Sequence, residues 1–230
     1  MTATPPHRAV RSFVLRTGRR TPAQERALAD LLPRYRIDPQ QVRSDCPAVF
    51  PARRPLHLEI GSGNGENALA LATRRPDLEL VASEVHLPGL GHTLLEIERL
   101  QLNNLRVHDG DALDLLGALP AQALTAVYIF FPDPWPKKRH QKRRLLQAPL
   151  LDLLLSRCHQ HGRVFFASDD QDYALAVRDL VAGAAGWCNL AGPQAWAPRP
   201  HARCVTRFEQ RARDAGRPIF DLVFSPQPRA

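Results

Sequence analysis

Residues 56–75 read LHLEIGSGNGENALALATRR, and this stretch decides the fold. LHLEI is an apolar run of strand length, GSGNG is a turn holding three glycines, and ENALALATRR has helical length and apolar spacing. Outward from it the same rhythm repeats. LELVAS (78–83), NLRVHD (104–109), LTAVYIFF (124–131) and GRVFFAS (162–168) read as strands. PGLGHTLLEIERL (88–100), ALDLLGAL (112–119), KRRLLQAPLLDLLLSR (142–157) and YALAVRDLVAGA (173–184) read as helices. Such alternation predicts an α/β, Rossmann-like sheet, mostly parallel, with helices on both faces. After Gly186 the rhythm breaks, and a Pro/Ala/Arg-rich loop, WAPRPHARC (196–204), precedes TRFEQRARDAG (206–216) and a strand-like RPIFDLVF (217–224).

Upstream, residues 1–20 form a basic arm: Arg8, Arg11, Arg16, Arg19 and Arg20 occur before the first acid of the chain, so the arm cannot neutralise itself. Thr21, Pro22 and Gln24 read as an N-cap, a first-turn proline and a capping-box partner, opening a helix that stops near Pro33 and packs as a lid or cap. Arg34 to Pro55, with four prolines, reads as a linking loop. The predicted organisation is therefore an arm (1–20), an N-terminal helix and linking loop (21–55), one core domain (56–225) and a tail (226–230). One core suits 230 residues, since single cores stop growing at roughly 250–300.

The chain is 44% hydrophobic, but charge or proline interrupts every long apolar run. Nothing approaches the roughly 20 apolar residues that span a bilayer, and no signal-peptide pattern opens the sequence. A cytoplasmic protein is expected. Cys46, Cys158, Cys188 and Cys204 lack the spacing of a zinc or redox site, so no metal is expected. The formal charge of +8 favours a polyanionic partner, nucleic acid first.

Glu59 lies at the carboxyl end of the first core strand, with Gly61, Gly63 and Gly65 in the turn after it. In open α/β sheets the ligand sits at this strand-end crevice. The dinucleotide fingerprint would need a third glycine where the chain has Glu66. A pyrophosphate is also disfavoured beside the Glu59 carboxylate, which a cationic, methionine-type ligand would welcome. Glu84 ends the second strand, where a carboxylate can accept ribose hydroxyls. Asp111 follows the third strand and either receives an adenine amine or caps the next helix.

FFPDPWPKKRHQKRRL (130–145) is the most informative segment. Pro132, Pro134 and Pro136 stiffen a loop that carries Asp133 and Trp135. Lys137, Lys138, Arg139, Lys142, Arg143 and Arg144 then place six cations within eight residues, a candidate phosphate clamp. Thr206 and Glu209 have capping-box spacing, although Arg199, Arg203, Arg207, Arg211 and Arg213 crowd the same region and favour a substrate role. Asp169 also has a plain reading, as a cap of the helix through Tyr173.

FFPDPWPKKRHQKRR, LEIGSGNGE, EVHLPGLG and TRFEQR together resemble the tRNA (guanine-N7-)-methyltransferase family, over roughly residues 11–225. The resemblance implies a class I methyltransferase sheet with a C-terminal antiparallel strand, S-adenosyl-L-methionine as cofactor, and methylation of a variable-loop guanosine of tRNA. It implies a cofactor site at Glu59, Gly61, Gly63, Glu84, Asp111 and Asp133, with Asp133 catalytic. Substrate contacts would fall on Lys137, Asp169, Thr206, Arg207, Phe208 and Glu209. Nothing in the sequence calls for a helper subunit. Ser62, Asn64 and Asp170 depart from the residues common in the family, which bears on local pocket shape. Three competing readings are weaker. An exocyclic-amine methyltransferase is disfavoured by the charged Asp133 and the basic run, a noncatalytic RNA-binding protein by the three strand-end acids, and a nicotinamide oxidoreductase by the glycine spacing.

Overall fold

The computed structural model describes residues 18–201 and 203–227, so Arg8, Arg11 and Arg16 of the basic arm lie outside it. Seven strands form one sheet: β1 (Leu56–Ile60), β2 (Glu79–Ser83), β3 (Leu105–His108), β4 (Leu124–Phe130), β5 (Cys158–Ser168), β6 (Trp187–Asn189) and β7 (Phe220–Pro226). Their order is β3-β2-β1-β4-β5-β7-β6. β3, β2, β1, β4 and β5 run parallel, while β7 is antiparallel to both β5 and β6. The carboxyl ends of the five parallel strands therefore share one edge of the sheet. The order reverses between β1 and β4, and this is where such sheets bind ligands.

The strands form where the sequence places contiguous apolar residues, because helices cover both faces and leave no solvent side for alternating polar residues. All five residues of β2 are buried. The helices α4 (Glu66–Arg74), α5 (Leu87–Arg99), α6 (Ala112–Ala118), α7 (Ala148–Arg157) and α8 (Gln171–Gly183) follow successive strands, and α9 (Arg207–Asp214) precedes β7. α5 approaches the glycine turn closely, since a Cβ on Gly89 would lie 2.3 Å from the Gly63 carbonyl oxygen. Only glycine permits that approach.

Ahead of the sheet, α1 (Pro22–Asp30) has the predicted capping box between Thr21 and Gln24. It packs on α5, with Gln24 Nε2 donating to the Pro88 carbonyl at 3.1 Å. The stretch read as a linking loop is instead ordered as α2 (Leu32–Tyr35) and α3 (Pro39–Val49). Asp38 caps α3 through Gln40 N–H, and Pro39 sits in its first turn. Proline here starts a helix rather than preventing one. A break at Asp45 precedes Pro47, and the Asp45 carboxylate recaps the rest by accepting from Ala48 N–H at 3.0 Å. Ile37 N–H donates to the Val107 carbonyl at 2.7 Å, so this segment covers the β3 edge.

One further correction and one addition concern the C-terminal half. The predicted helix through 142–157 begins only at Ala148, and Lys138–Arg143 instead forms a 3-10 turn. β6 lies ahead of the predicted loop, in residues to which the sequence assigns no element. It is three residues long, held by β7 and by Trp187, which packs edge-on to Phe224.

Candidate active site

The turn after β1 extends the sheet ladder, with the N–H groups of Gly61 and Ser62 donating to the Ser83 carbonyl at 2.9 and 3.2 Å. Gly61 has φ +74°, and a Cβ added there would meet nothing within 4 Å, so open space lies above the turn. Ser62 Oγ is buried and has no hydrogen-bond partner among the described residues. Beneath the turn, Glu59 is 4% exposed and accepts from Asn67 Nδ2 at 3.3 Å. Burial raises its pKa from 4.5 to about 8; the Asn67 amide opposes the shift and the Glu84 charge adds to it. The pocket thus contains a carboxyl group kept neutral by dehydration, a group that a cation would ionise.

Glu84, at the end of β2, holds the turn in place. Its Oε2 accepts from Gly63 N–H at 2.6 Å, and its Oε1 accepts from the N–H groups of Val85 and His86 at 2.8 Å. A carboxylate has about four acceptor positions, which leaves one on Oε2 for a ligand. Asp111 is the N-cap of α6, accepting from Leu113 N–H at 3.0 Å through Oδ1. Oδ2 takes no part in the cap.

Beyond β4, the Pro132–Pro136 loop is bounded by Phe131 and Trp135 at φ +51° and +44°, values that side chains other than glycine adopt under constraint. Asp133 is exposed between them. Lys137, Lys138, Arg139 and Lys142 are also exposed, while Arg143 lies over the Trp135 ring, 5.0 Å from its centroid. Arg144 departs from the clamp predicted for it. It is buried and pairs with Asp172, so it faces the core rather than a partner.

The segment before β7 arches over the glycine turn. Arg207 donates from its backbone N–H and from Nε to the two oxygens of Glu66, both at 2.7 Å, and Cys204 N–H donates to Asn67 Oδ1 at 3.3 Å. Phe208 is 59% exposed, and a Cβ on Gly63 would lie 4.0 Å from its ring. Thr206 caps α9 through Glu209 N–H, as the capping-box spacing predicts. The Glu209 side chain does not complete the box: it is fully buried and held by Arg199, Arg203 and Arg213 at 2.8, 3.2 and 2.5 Å. Burial alone would raise its pKa, and the three arginines overcome that and hold it low. Arg203 in turn binds Asp221 at 2.5 Å and lies over the rings of Phe130 and Phe131.

Asp169 directly follows β5 and accepts from Arg217 Nε at 2.8 Å. The cap of α8 is its neighbour Asp170, which accepts from Tyr173 N–H at 2.8 Å. Glu59, Glu84, Asp111, Asp133 and Asp169 all fall at the shared carboxyl edge. Sequence reasoning missed Glu66, which ties the start of α9 to the glycine turn, and Asn67, which ties down the segment before α9; their partners are 141 and 137 residues away.

Two solved structures have this fold. The rRNA methylase from Streptococcus thermophilus gives a TM-score of 0.51 at 14% identity, covering 80% of this chain and 96% of that one. The aminoglycoside resistance methyltransferase NpmB1 gives 0.53 at 15%, covering 80% and 93%. A sheet of this order, with its last strand inserted antiparallel beside β5, defines a class I methyltransferase, the kind that uses S-adenosyl-L-methionine. Residues 53–222 match the family described as putative methyltransferase. Proteins named tRNA (guanine-N(7)-)-methyltransferase from Nitrosospira multiformis and Methylococcus capsulatus are each 44% identical to this chain, over 95% and 97% of it and 95% and 96% of their own lengths. The chain belongs to the tRNA (guanine-N(7)-)-methyltransferase family.

Proposed function

We propose that this chain methylates N7 of a guanosine in the variable loop of tRNA, with S-adenosyl-L-methionine as donor and without a helper subunit. The observation that carries the reading is the rim after β4, where exposed Asp133 leads directly into the exposed Lys137, Lys138 and Arg139. A reacting base beside Asp133 would have its phosphates beside those cations. No helix among the described residues is long and apolar enough to cross a membrane. Four unpaired cysteines suit the reducing cytoplasm, where we place the reaction.

The pocket residues fit the donor. Open space above Gly61, the orphaned Ser62 hydroxyl and the buried Glu59 carboxyl suit a polar, cationic ligand. Glu84 would accept from a ribose hydroxyl on its remaining acceptor position, and Asp111 would take the adenine amine through Oδ2. Gly61 and Gly63 let the backbone approach the ligand. When bound, S-adenosyl-L-methionine supplies an electrophilic methyl group on a sulfonium sulfur.

Guanine N7 carries an in-plane lone pair and no proton, so the protein need not supply a strong base. Its main task is alignment, which can lower a barrier by roughly 7–11 kcal/mol. Asp133 holds the guanine edge by accepting from its N–H groups, and its negative charge favours the positive charge that grows on the purine. Lys137 and its neighbours grip phosphate, fixing approach without reading the base. Phe208 and Arg207 cover the pocket from the α9 side. Thr206 and Glu209 set the start of that helix, and Asp169 closes the β5 side.

The test uses the purified chain alone, labelled S-adenosyl-L-methionine and unmodified tRNA, followed by nucleoside analysis. Labelled 7-methylguanosine from the variable loop is expected. Label in another nucleoside, or none without an added protein, refutes the corresponding part of the proposal.

A further inference from the structure

Three of the five residues from Pro132 to Pro136 are prolines and have no N–H. Such a loop has little capacity to hold itself by backbone hydrogen bonds, yet Phe131 just before it and Trp135 within it sit at positive φ. Its geometry has to be imposed from outside. Arg144 reaches the backbone of this loop. Nε donates to the Pro134 carbonyl at 2.9 Å, one residue from Asp133. Nη2 donates to Asp172 in the first turn of α8, and the guanidinium lies 4.9 Å from the Tyr173 ring centroid. Tyr173 is fully buried, packs edge-on to Phe166 of β5, and accepts from Leu146 N–H at 2.9 Å. Gln141 adds a second donor to Asp172 at 3.1 Å.

We propose that Arg144 is a positioning residue for Asp133 rather than a contact to tRNA phosphate. The inference rests on Asp133 acting in methyl transfer. The Arg144 side chain is 7% exposed, so its charge is spent within the protein, whereas Lys142 two residues earlier is exposed. The planar guanidinium spans a backbone carbonyl and a carboxylate at once, which a lysine ammonium on a flexible stem does not reproduce. The Pro134 carbonyl is thereby fixed to α8, and α8 to the core. A shift of this anchor moves the Asp133 carboxylate relative to the donor pocket.

The experiment compares Arg144→Lys, Asp172→Asn, Lys142→Gln and Asp133→Asn in the full chain. It reads single-turnover methylation at saturating S-adenosyl-L-methionine and tRNA, and the salt dependence of tRNA binding. Arg144→Lys should slow methyl transfer tenfold or more, while the slope of log affinity against log salt stays within half a unit of wild type. Lys142→Gln should give the signature of a phosphate contact, a slope shallower by about one unit. Asp172→Asn, at an exposed position that leaves the core intact, should slow transfer about threefold, and should add nothing once Arg144 is lysine. If Arg144→Lys does not fold, as judged by lost cofactor binding in calorimetry, Asp172→Asn decides alone. An unchanged rate there overturns the proposal, as does an Arg144→Lys protein of wild-type rate. A slow Asp133→Asn beside a wild-type Arg144→Lys rejects only the positioning role, whereas a wild-type Asp133→Asn rejects the role of Asp133 itself and the inference with it.

Discussion

Replacing Glu59 by glutamine should make the cofactor-free protein more stable at neutral pH and a poorer binder of its cofactor. Burial lifts the Glu59 pKa from 4.5 to about 8, so the folded chain holds this proton more tightly than the unfolded chain. Its contribution is therefore fully present below about pH 4.5 and is lost as pH rises toward 8. The three and a half pH units between those values correspond to roughly 5 kcal/mol, and the portion lost by pH 7 to roughly 3. Glutamine keeps the shape and can still accept from Asn67, but does not ionise. Urea unfolding of wild type and Glu59→Gln between pH 5 and 8 should show the variant gaining on wild type by a few kcal/mol over the range. Cofactor affinity should respond oppositely. A cationic ligand favours the carboxylate, so wild-type affinity should rise up to tenfold per unit below pH 8, with a proton released at pH 7. Calorimetry in two buffers of different ionisation enthalpy detects that proton. A stability difference that stays constant from pH 5 to 8 would refute this account of Glu59.

Asp133→Asn keeps size and removes charge, and single-turnover methylation at saturating substrates should fall by roughly 10²- to 10³-fold with tRNA affinity little changed; a loss below about threefold would reduce Asp133 to pocket wall. Glu84→Ala removes the acceptor of three backbone N–H groups as well as the proposed ribose contact, so calorimetric affinity for S-adenosyl-L-methionine should weaken by at least about 1.5 kcal/mol; unchanged affinity would remove it from the pocket. Neutralising Lys137, Lys138 and Arg139 together should flatten the salt dependence of tRNA binding by two to three units if each meets a phosphate; an unaltered slope would move the tRNA surface elsewhere.

The sheet was legible because its signals are local. β1 and the glycine turn adjoin in sequence, and each central strand carries its own apolar run. The α1 capping box lies within four residues. Residues 34–55 misled because proline has two opposite meanings: Pro39 behind the Asp38 cap starts a helix, while Pro47 follows a break. β6 is too short to carry a pattern of its own and depends on β7, some thirty residues on. In the site, acids at strand ends were readable from position alone. Arg144 was not, since as a sequence letter it equals Arg143; only Asp172, Tyr173 and the Pro134 carbonyl distinguish it. Glu209 shows the same boundary, with its cap geometry read from spacing and its three arginine partners set by tertiary packing.

The junction of Arg203 with Glu209 and Asp221 bears on the order in which the chain assembles as it is made. Arg203 is nine-tenths buried or more, and Asp221 lies 18 residues further along. During synthesis, β1 to β5 emerge and can pair while β6 and the far side of β5 still wait for β7. Chains fold as they emerge, N-terminal parts first. The glycine turn is thus complete before α9 has its anchor, because the charge of Arg203 cannot enter the interior at acceptable energy without its partners. A nascent chain halted between residues 209 and 221 would have the glycine turn and Asp133 but no fixed α9 above them. The last strand works as a completeness check: only the chain that has reached β7 holds α9 over the glycine turn.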